Sequence, residues 1–228
     1  NLYHNLISDK GAGLIANSDK LSQLEQLNLN YNQIHGPGAI ELTHSKKLNN
    51  LKNIELTYNP IERSAKDAWK RFQLMEWFKD LDRANKLNEV GEGLIGDLGV
   101  DVLLRSPFAS KLEMLDLKSN DLSDKAVIAL SKSEKLKQLV SLNLSRNNIT
   151  DNGAKALARS SHLGKLKKLD LNFNRIGDEG AFAIAESKSL SNLESLKLGQ
   201  NKIGTEGARA LNKSKTLQNL VHPIFGFY

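Results

Sequence analysis

The sequence predicts an α/β solenoid: a right-handed coil of about eight repeats of 27 residues, with a parallel sheet on its concave side and helices outside. Three observations predict it. Aliphatic residues recur along the chain in the phrase L-x-x-L-x-L-x-x-N-x-I/L. Each phrase runs into a helix-start signal and a short apolar stripe at helical spacing. The last apolar positions, Ile7, Ile34, Ile61, Ile95, Leu122, Ile149, Ile176 and Ile203, are 27 residues apart, with one step of 34. A fixed period of this length is the mark of a stacked repeat architecture.

Each part of the phrase has a physical task. The alternation in Leu27-x-Leu29, Ile54-x-Leu56, Leu115-x-Leu117, Leu142-x-Leu144, Leu169-x-Leu171 and Leu196-x-Leu198 has the two-residue period of a strand, so leucines face one side and the residues between them the other. The Asn that follows ends the strand, and its amide can satisfy backbone groups of neighbouring turns. Asp9, Asp97, Asp124, Asp151 and Asp178 come two residues after the last apolar position, where they are expected to cap the helix that follows. A glycine comes next in most units, among them Gly38, Gly153, Gly180 and Gly207. Small apolar stripes such as Ala154-Leu157-Ala158 then let a helix lie close to its strand. One unit cannot bury its own leucines, but stacked units can. Burial contributes about 1.5–3 kcal/mol per leucine. Helices are wider than strands, so the stack is expected to bend into a horseshoe.

The phrase L-x-x-L-x-L-x-x-N-x-I followed by G-A-x-x-L/I-A resembles the ribonuclease-inhibitor-like class of leucine-rich repeats over nearly the whole chain, and residues 1–228 are read as a single such domain. The resemblance implies a non-enzymatic module that holds a partner protein on its concave face. The Asn- and Lys-rich, cysteine-free style is similar to leucine-rich-repeat proteins that intracellular bacteria deliver into host cells, which implies an effector, virulence and host–pathogen role. Because one group of GTPase activators shares this repeat class, a small-GTPase regulator is the alternative, with Arg146 as the only groove arginine.

The pattern breaks at about 62–95, where the long step carries seven extra residues and both tryptophans, Trp69 and Trp77. This stretch reads as a longer, aromatic helix that either covers its own neighbours or forms a ridge for a partner. The strand after it is irregular, with Asn85 and Asn88 at leucine positions and Gly93 in place of the ladder Asn, and a distortion is expected over residues 82–94. Residues 220–228 start a ninth strand and then become an apolar and aromatic C-terminal cap. The chain opens in mid-repeat, so an upstream segment or a packing partner is expected over that end.

Other chemistry finds little support. The absence of cysteine excludes disulfides and thiolate metal sites and fits a cytosolic-type reducing environment. No run of apolar residues is long enough to span a membrane. Gly91-Glu92-Gly93-Leu94-Ile95-Gly96 matches a dinucleotide-binding pattern, but Ile95 and Gly96 occupy the same repeat positions as Ile176 and Gly177. The five histidines lie in different units without metal-ligand spacing, no G-x-S-x-G nucleophile motif occurs, and no metal or cofactor is expected. The net charge of +6 comes largely from lysines at the corners where helices run into strands (Lys46-Lys47, Lys135-Lys137, Lys165-Lys167-Lys168), without the aromatic interleaving of a nucleic-acid interface.

The residues between the leucines form columns across the expected sheet, with strands about 4.8 Å apart. One column reads Asn28, Glu55, Glu89, Asp116, Asn143, Asp170, Lys197 and is largely acidic. Another, beside the Asn ladder, reads His4, Tyr31, Tyr58, Glu92, Ser119, Arg146, Phe173, Gln200. Aromatic and Arg side chains most often dominate binding energy. Tyr31, Tyr58, Glu55, Glu89, Asp116, Arg146, Asp170 and Phe173 are therefore the expected contact residues of a monomer. The expected partner is a protein with a basic, partly apolar surface.

Overall fold

The structure, a computed structural model, describes residues 1–83, 95–221 and 224. The expected irregular strand and distortion, from residue 84 onward, lie outside these residues. The fold is an α/β solenoid of parallel strands and flanking helices, in two compact units, Asn1–Asp80 and Leu81–Tyr228.

The first unit holds α1 (Asp9–Ala16), β1 (Gln26–Asn28), α2 (Gly36–Thr43), β2 (Asn53–Glu55) and most of α3 (Arg63–Arg83). The second holds α4 (Gly96–Arg105), β3 (Met114–Asp116), α5 (Asp124–Lys132), β4 (Ser141–Asn143), α6 (Asp151–Ala158), β5 (Lys168–Asp170), α7 (Asp178–Ala185), β6 (Ser195–Lys197) and α8 (Thr205–Asn212). β1 and β2 pair in parallel, with Leu27 opposite Ile54. β3 to β6 form a four-stranded parallel sheet in sequence order, with Leu115, Leu142, Leu169 and Leu196 side by side. The 27-residue step read from the sequence is therefore the register of both sheets.

Leucines and isoleucines of the phrase make the core: Leu29, Ile54, Leu117, Leu144, Leu171 and Ile176 are at most 1% exposed. The ladder asparagines hold successive coils together as expected. Asn174 Oδ1 accepts from the Ile149 amide at 3.0 Å, and its Nδ2 donates to the Leu144 and Leu171 carbonyls, each at 3.0 Å. Asn32, Asn59, Asn147 and Asn201 repeat the arrangement in their own coils.

The aspartates do something the sequence did not predict. The helix caps are Ser8, Ser123, Thr150 and Gly177, each one residue before the expected Asp9, Asp124, Asp151 and Asp178, and Ile95, two residues before the expected Asp97; Gly204 caps α8. The aspartate instead reaches the next coil. Asp151 Oδ1 accepts from the Gly177 amide at 2.7 Å and the Gly180 amide at 2.9 Å, which are the cap and third residue of α7. Asp178 does the same for Gly204 and Gly207, Asp124 for Thr150 and Gly153, and Asp9 for His35 and Gly38. One carboxylate thus satisfies helix-start amides that have no partner within their own helix. The arrangement also explains the glycine. A Cβ at Gly180 would meet Asp151 Oδ1 at 2.7 Å and the Ile176 side chain at 2.7 Å.

Helix ends are closed by a serine column at the same 27-residue step. The hydroxyls of Ser160, Ser187 and Ser214 donate to the last-turn carbonyls of Ser131, Ala158 and Ala185 in the preceding coil, at 2.6, 2.6 and 2.5 Å. Ser45 does so to Ala16 in the first unit.

The aromatic helix α3 packs on its own unit. Ala65 and Phe78 are fully buried, and Trp69 and Phe72 lie against the core built by β1, β2 and their helices. The Glu55 carbonyl accepts from Leu29 and so points toward β1. Adjacent carbonyls of a strand point in opposite directions, so that of Ile54 points to the other edge of β2. There Trp69 Nε1 donates to it at 2.8 Å. At the other end of the chain, the Val221 amide bonds the Glu194 carbonyl, as Glu194 bonds Lys167, and Ile224 is buried with its carbonyl on the Leu198 amide. Of the expected cap over 220–228, Leu220, Val221 and Ile224 are described.

Candidate protein-binding face

Strand residues between the leucines lie on the open face of each sheet, as the alternation requires. Their carboxylates, however, have partners within the chain. Asp116 Oδ1 accepts from the Lys118 amide at 2.9 Å, and Asp170 Oδ1 from the Asn172 amide at 3.0 Å. Asn28 and Asn143 make the same bond two residues on. This column closes a side-chain turn at each strand end. Asp116 Oδ2 also accepts from Asn143, and Asp170 Oδ2 faces Lys197 at 3.6 Å. Glu55 is too long for the local turn. Its Oε2 accepts from Asn28 Nδ2 at 2.6 Å and Asn30 Nδ2 at 2.9 Å. Glu89, the remaining acid expected on this face, lies outside the described residues.

The column beside the Asn ladder is not strand. His4, Tyr31, Tyr58, Ser119, Arg146, Phe173 and Gln200 all have φ between 53° and 60°, the left-handed region. A residue with a Cβ loses about 1–2 kcal/mol there. The chain turns sharply after each strand, and this geometry turns the column's side chains outward. In the first unit, Tyr31 and Tyr58 stack with ring centroids 4.2 Å apart and planes at 21°. Tyr3 meets Tyr31 edge-on at 5.2 Å, and His4 lies 6.1 Å from it. Tyr58 remains 68% exposed. The Tyr31 hydroxyl is held above the usual phenol value, first by desolvation and then by hydrogen bonding with the Tyr58 phenol.

In the second unit, Arg146 lays its guanidinium over the Phe173 ring, with Cζ 4.3 Å from the centroid. The open face of its sheet is a shallow hollow of about 370 Å³ lined by Met114, Asp116, Asn143, Lys168, Asp170 and Lys197. The structure therefore brings Tyr31, Tyr58 and Glu55 together in one unit, and Asp116, Asp170, Arg146 and Phe173 in the other.

Sequence reasoning missed two features. Tyr3 extends the aromatic row, although its place next to His4 was a signal. Met114 and Lys168, at the first strand position, share the open face, and the same alternation that singled out Asp116 and Asp170 could have found them. Among the described residues no group of three or more His, Asp or Glu could hold a metal ion, and no helix is long and apolar enough to cross a membrane.

Comparison with known proteins agrees with the repeat. The family model described as Leucine Rich repeat matches residues 21–42, 109–131, 136–158, 162–185 and 189–211, just over half of the chain. Two solved internalins of Listeria monocytogenes are similar. Internalin inlF is 24% identical, over 89% of this chain and 48% of its own, with a TM-score of 0.37. Internalin C2 is 19% identical, over 96% of this chain and 76% of its own, with a TM-score of 0.29. This chain spans about half the length of the first. No curated protein matches the sequence.

Proposed function

This chain belongs to the leucine-rich-repeat family, and on that premise we propose that it is a non-catalytic scaffold holding a partner protein on the open strand faces and the turn column beside them. Stacked repeats generally serve as extended protein-binding surfaces. The observation that carries the reading is the turn column. Left-handed positions favour Gly, Asn or Asp, yet four of them hold Tyr31, Tyr58, Arg146 and Phe173, all exposed. Large, solvent-facing side chains at positions that disfavour them are accounted for by contact with something outside the chain.

The partner fits the description of a basic, partly apolar surface: the rings offer apolar and π contact, and Glu55, Asp116 and Asp170 lie on the neighbouring strand positions. The repeat's Asn- and Lys-rich, cysteine-free composition further supports a bacterial effector acting on a host protein. The test is capture from a host-cell lysate by the immobilised chain, against a variant with Tyr31, Tyr58, Arg146 and Phe173 all changed to Ala. A protein held by the parent chain is expected to be lost from the variant. Equal recovery by both chains puts the contact surface elsewhere.

A further inference from the structure

Among the described residues of the turn column, Arg146 alone carries a permanent charge. Its guanidinium lies over the Phe173 ring with Cζ 4.3 Å from the centroid. A ring is its whole surroundings: none of the five guanidinium N–H donors meets an acceptor, and no carboxylate pairs with it, among the described residues. The acids on the open face of the same unit are engaged elsewhere, Asp116 with the Lys118 amide and Asn143, Asp170 with the Asn172 amide and Lys197. Backbone bonds fix the order of the column. Ser119 donates to the Ser145 carbonyl, Arg146 to that of Asn172, and Phe173 to that of Gly199. Arg146 therefore stands between a short serine on one side and the aromatic ring on the other. Arg146 is exposed, and Phe173 is 43% exposed. Both sit at left-handed φ, 56° and 53°, which a residue with a Cβ disfavours.

We infer that the second unit binds a carboxylate side chain of the partner on Arg146, with the guanidinium held by the Phe173 ring and its free donors shared between the two carboxylate oxygens. The inference rests on the scaffold reading above and adds one acidic side chain to the partner's otherwise basic, partly apolar surface. A guanidinium presents a rigid fork of donors that matches a carboxylate, and bonds between charged groups are stronger than neutral ones. It is also weakly hydrated, so it gives up little when water leaves. Phe173 contributes in two ways. It restrains a long side chain whose rotamer freedom would otherwise be lost on binding. Its ring also shields one side of the cation from water and attracts it electrostatically. The receptor is in place before any ligand arrives.

The experiment titrates the full chain with a short blocked peptide of alternating glycine and glutamate, and with its glutamine counterpart of equal length. Binding is followed by the NMR signals of the Arg146 side-chain N–H and the Phe173 ring, using whichever remains in each variant. The glutamate peptide is expected to shift both signals saturably, with affinity about tenfold above that of the glutamine peptide. Arg146→Lys keeps the charge but loses the fork, and should weaken glutamate binding severalfold. Phe173→Leu removes the ring that holds the guanidinium, and should also weaken it severalfold. Lys188→Gln removes one positive charge beyond the end of α7 and should leave the affinity nearly unchanged. The urea midpoint of each variant checks that the fold is intact. Equal affinity for both peptides, no saturable shift with either, a Lys or Leu variant that binds like the parent, or a Lys188→Gln loss as large as that of Arg146→Lys overturns the inference. A partner that depends on the turn column, found together with peptides that bind alike, leaves the scaffold reading standing and removes the carboxylate.

Discussion

Changing Asp151 to Ala tests whether each coil caps the helix of the next. The side chain accepts two backbone bonds, from Gly177 at 2.7 Å and Gly180 at 2.9 Å. Gly177 is the cap residue of α7 and has no side chain to replace the lost acceptor. Removing a helix cap costs about 0.5–2 kcal/mol. A hydrogen bond to a charged group contributes about 1.5–3 kcal/mol. Gly180 is buried, so water does not readily take over its amide, whereas Gly177 is half-exposed and can be solvated. One bond is therefore lost nearly in full and the other in part, and the expected destabilisation is about 2–3 kcal/mol. Urea unfolding reads this as a midpoint about 1 M lower, given slopes of about 1–3 kcal/mol per M. Hydrogen exchange locates it: the Gly177 and Gly180 amides should lose protection, while Gly153, bonded to Asp124, keeps its own. If Asn152 and Gly153 lose protection instead, the aspartate serves its own helix and the reasoning is wrong. A loss under about 0.5 kcal/mol, the size of an ordinary surface substitution, refutes it equally.

Three further outcomes follow from the same geometry. Gln200→Gly should raise stability by about 0.5–1 kcal/mol, because relief of the left-handed penalty exceeds the extra chain entropy of glycine; an unchanged or lower urea midpoint contradicts this. Trp69→Phe keeps an aromatic ring but leaves the Ile54 carbonyl without its donor, and thermal or urea unfolding should show a loss of about 1–3 kcal/mol. The Tyr31 phenol should titrate above its usual range in the ultraviolet difference spectrum, and Tyr58→Phe should bring it down. Because the folded state favours the neutral phenol, the associated stability is present below the ordinary phenol pKa of about 10 and is lost as pH rises through the folded value. A Tyr31 that titrates with the other tyrosines removes the coupling.

Much of this was legible without coordinates. Leu27, Leu115 and Leu142 pointed inward because a two-residue alternation admits one buried face, and Asn174 sat in a ladder because nothing else in its coil could meet the freed amides. The candidate face was legible for the same reason: Asp116 and Asp170 alternate with leucines. The left-handed column was not. Tyr31 and Phe173 follow the strand by position but not by φ, since the turn is imposed by the next coil's return rather than by any residue in it. The serine column was in principle readable, because Ser45, Ser160, Ser187 and Ser214 keep the repeat step, but its purpose was not.

The sequence alone determined the period, the inward residues and the order of strands, because hydrophobic spacing is a local property and burial obeys it. Only the tertiary structure decided which coil each polar side chain serves. Asp151 is the first residue of α6, next to the cap position of that helix, and instead caps another helix 26 residues away. Hydrogen bonds select by distance and direction in space, and the stacking of one coil on the next brings that amide closer than its own.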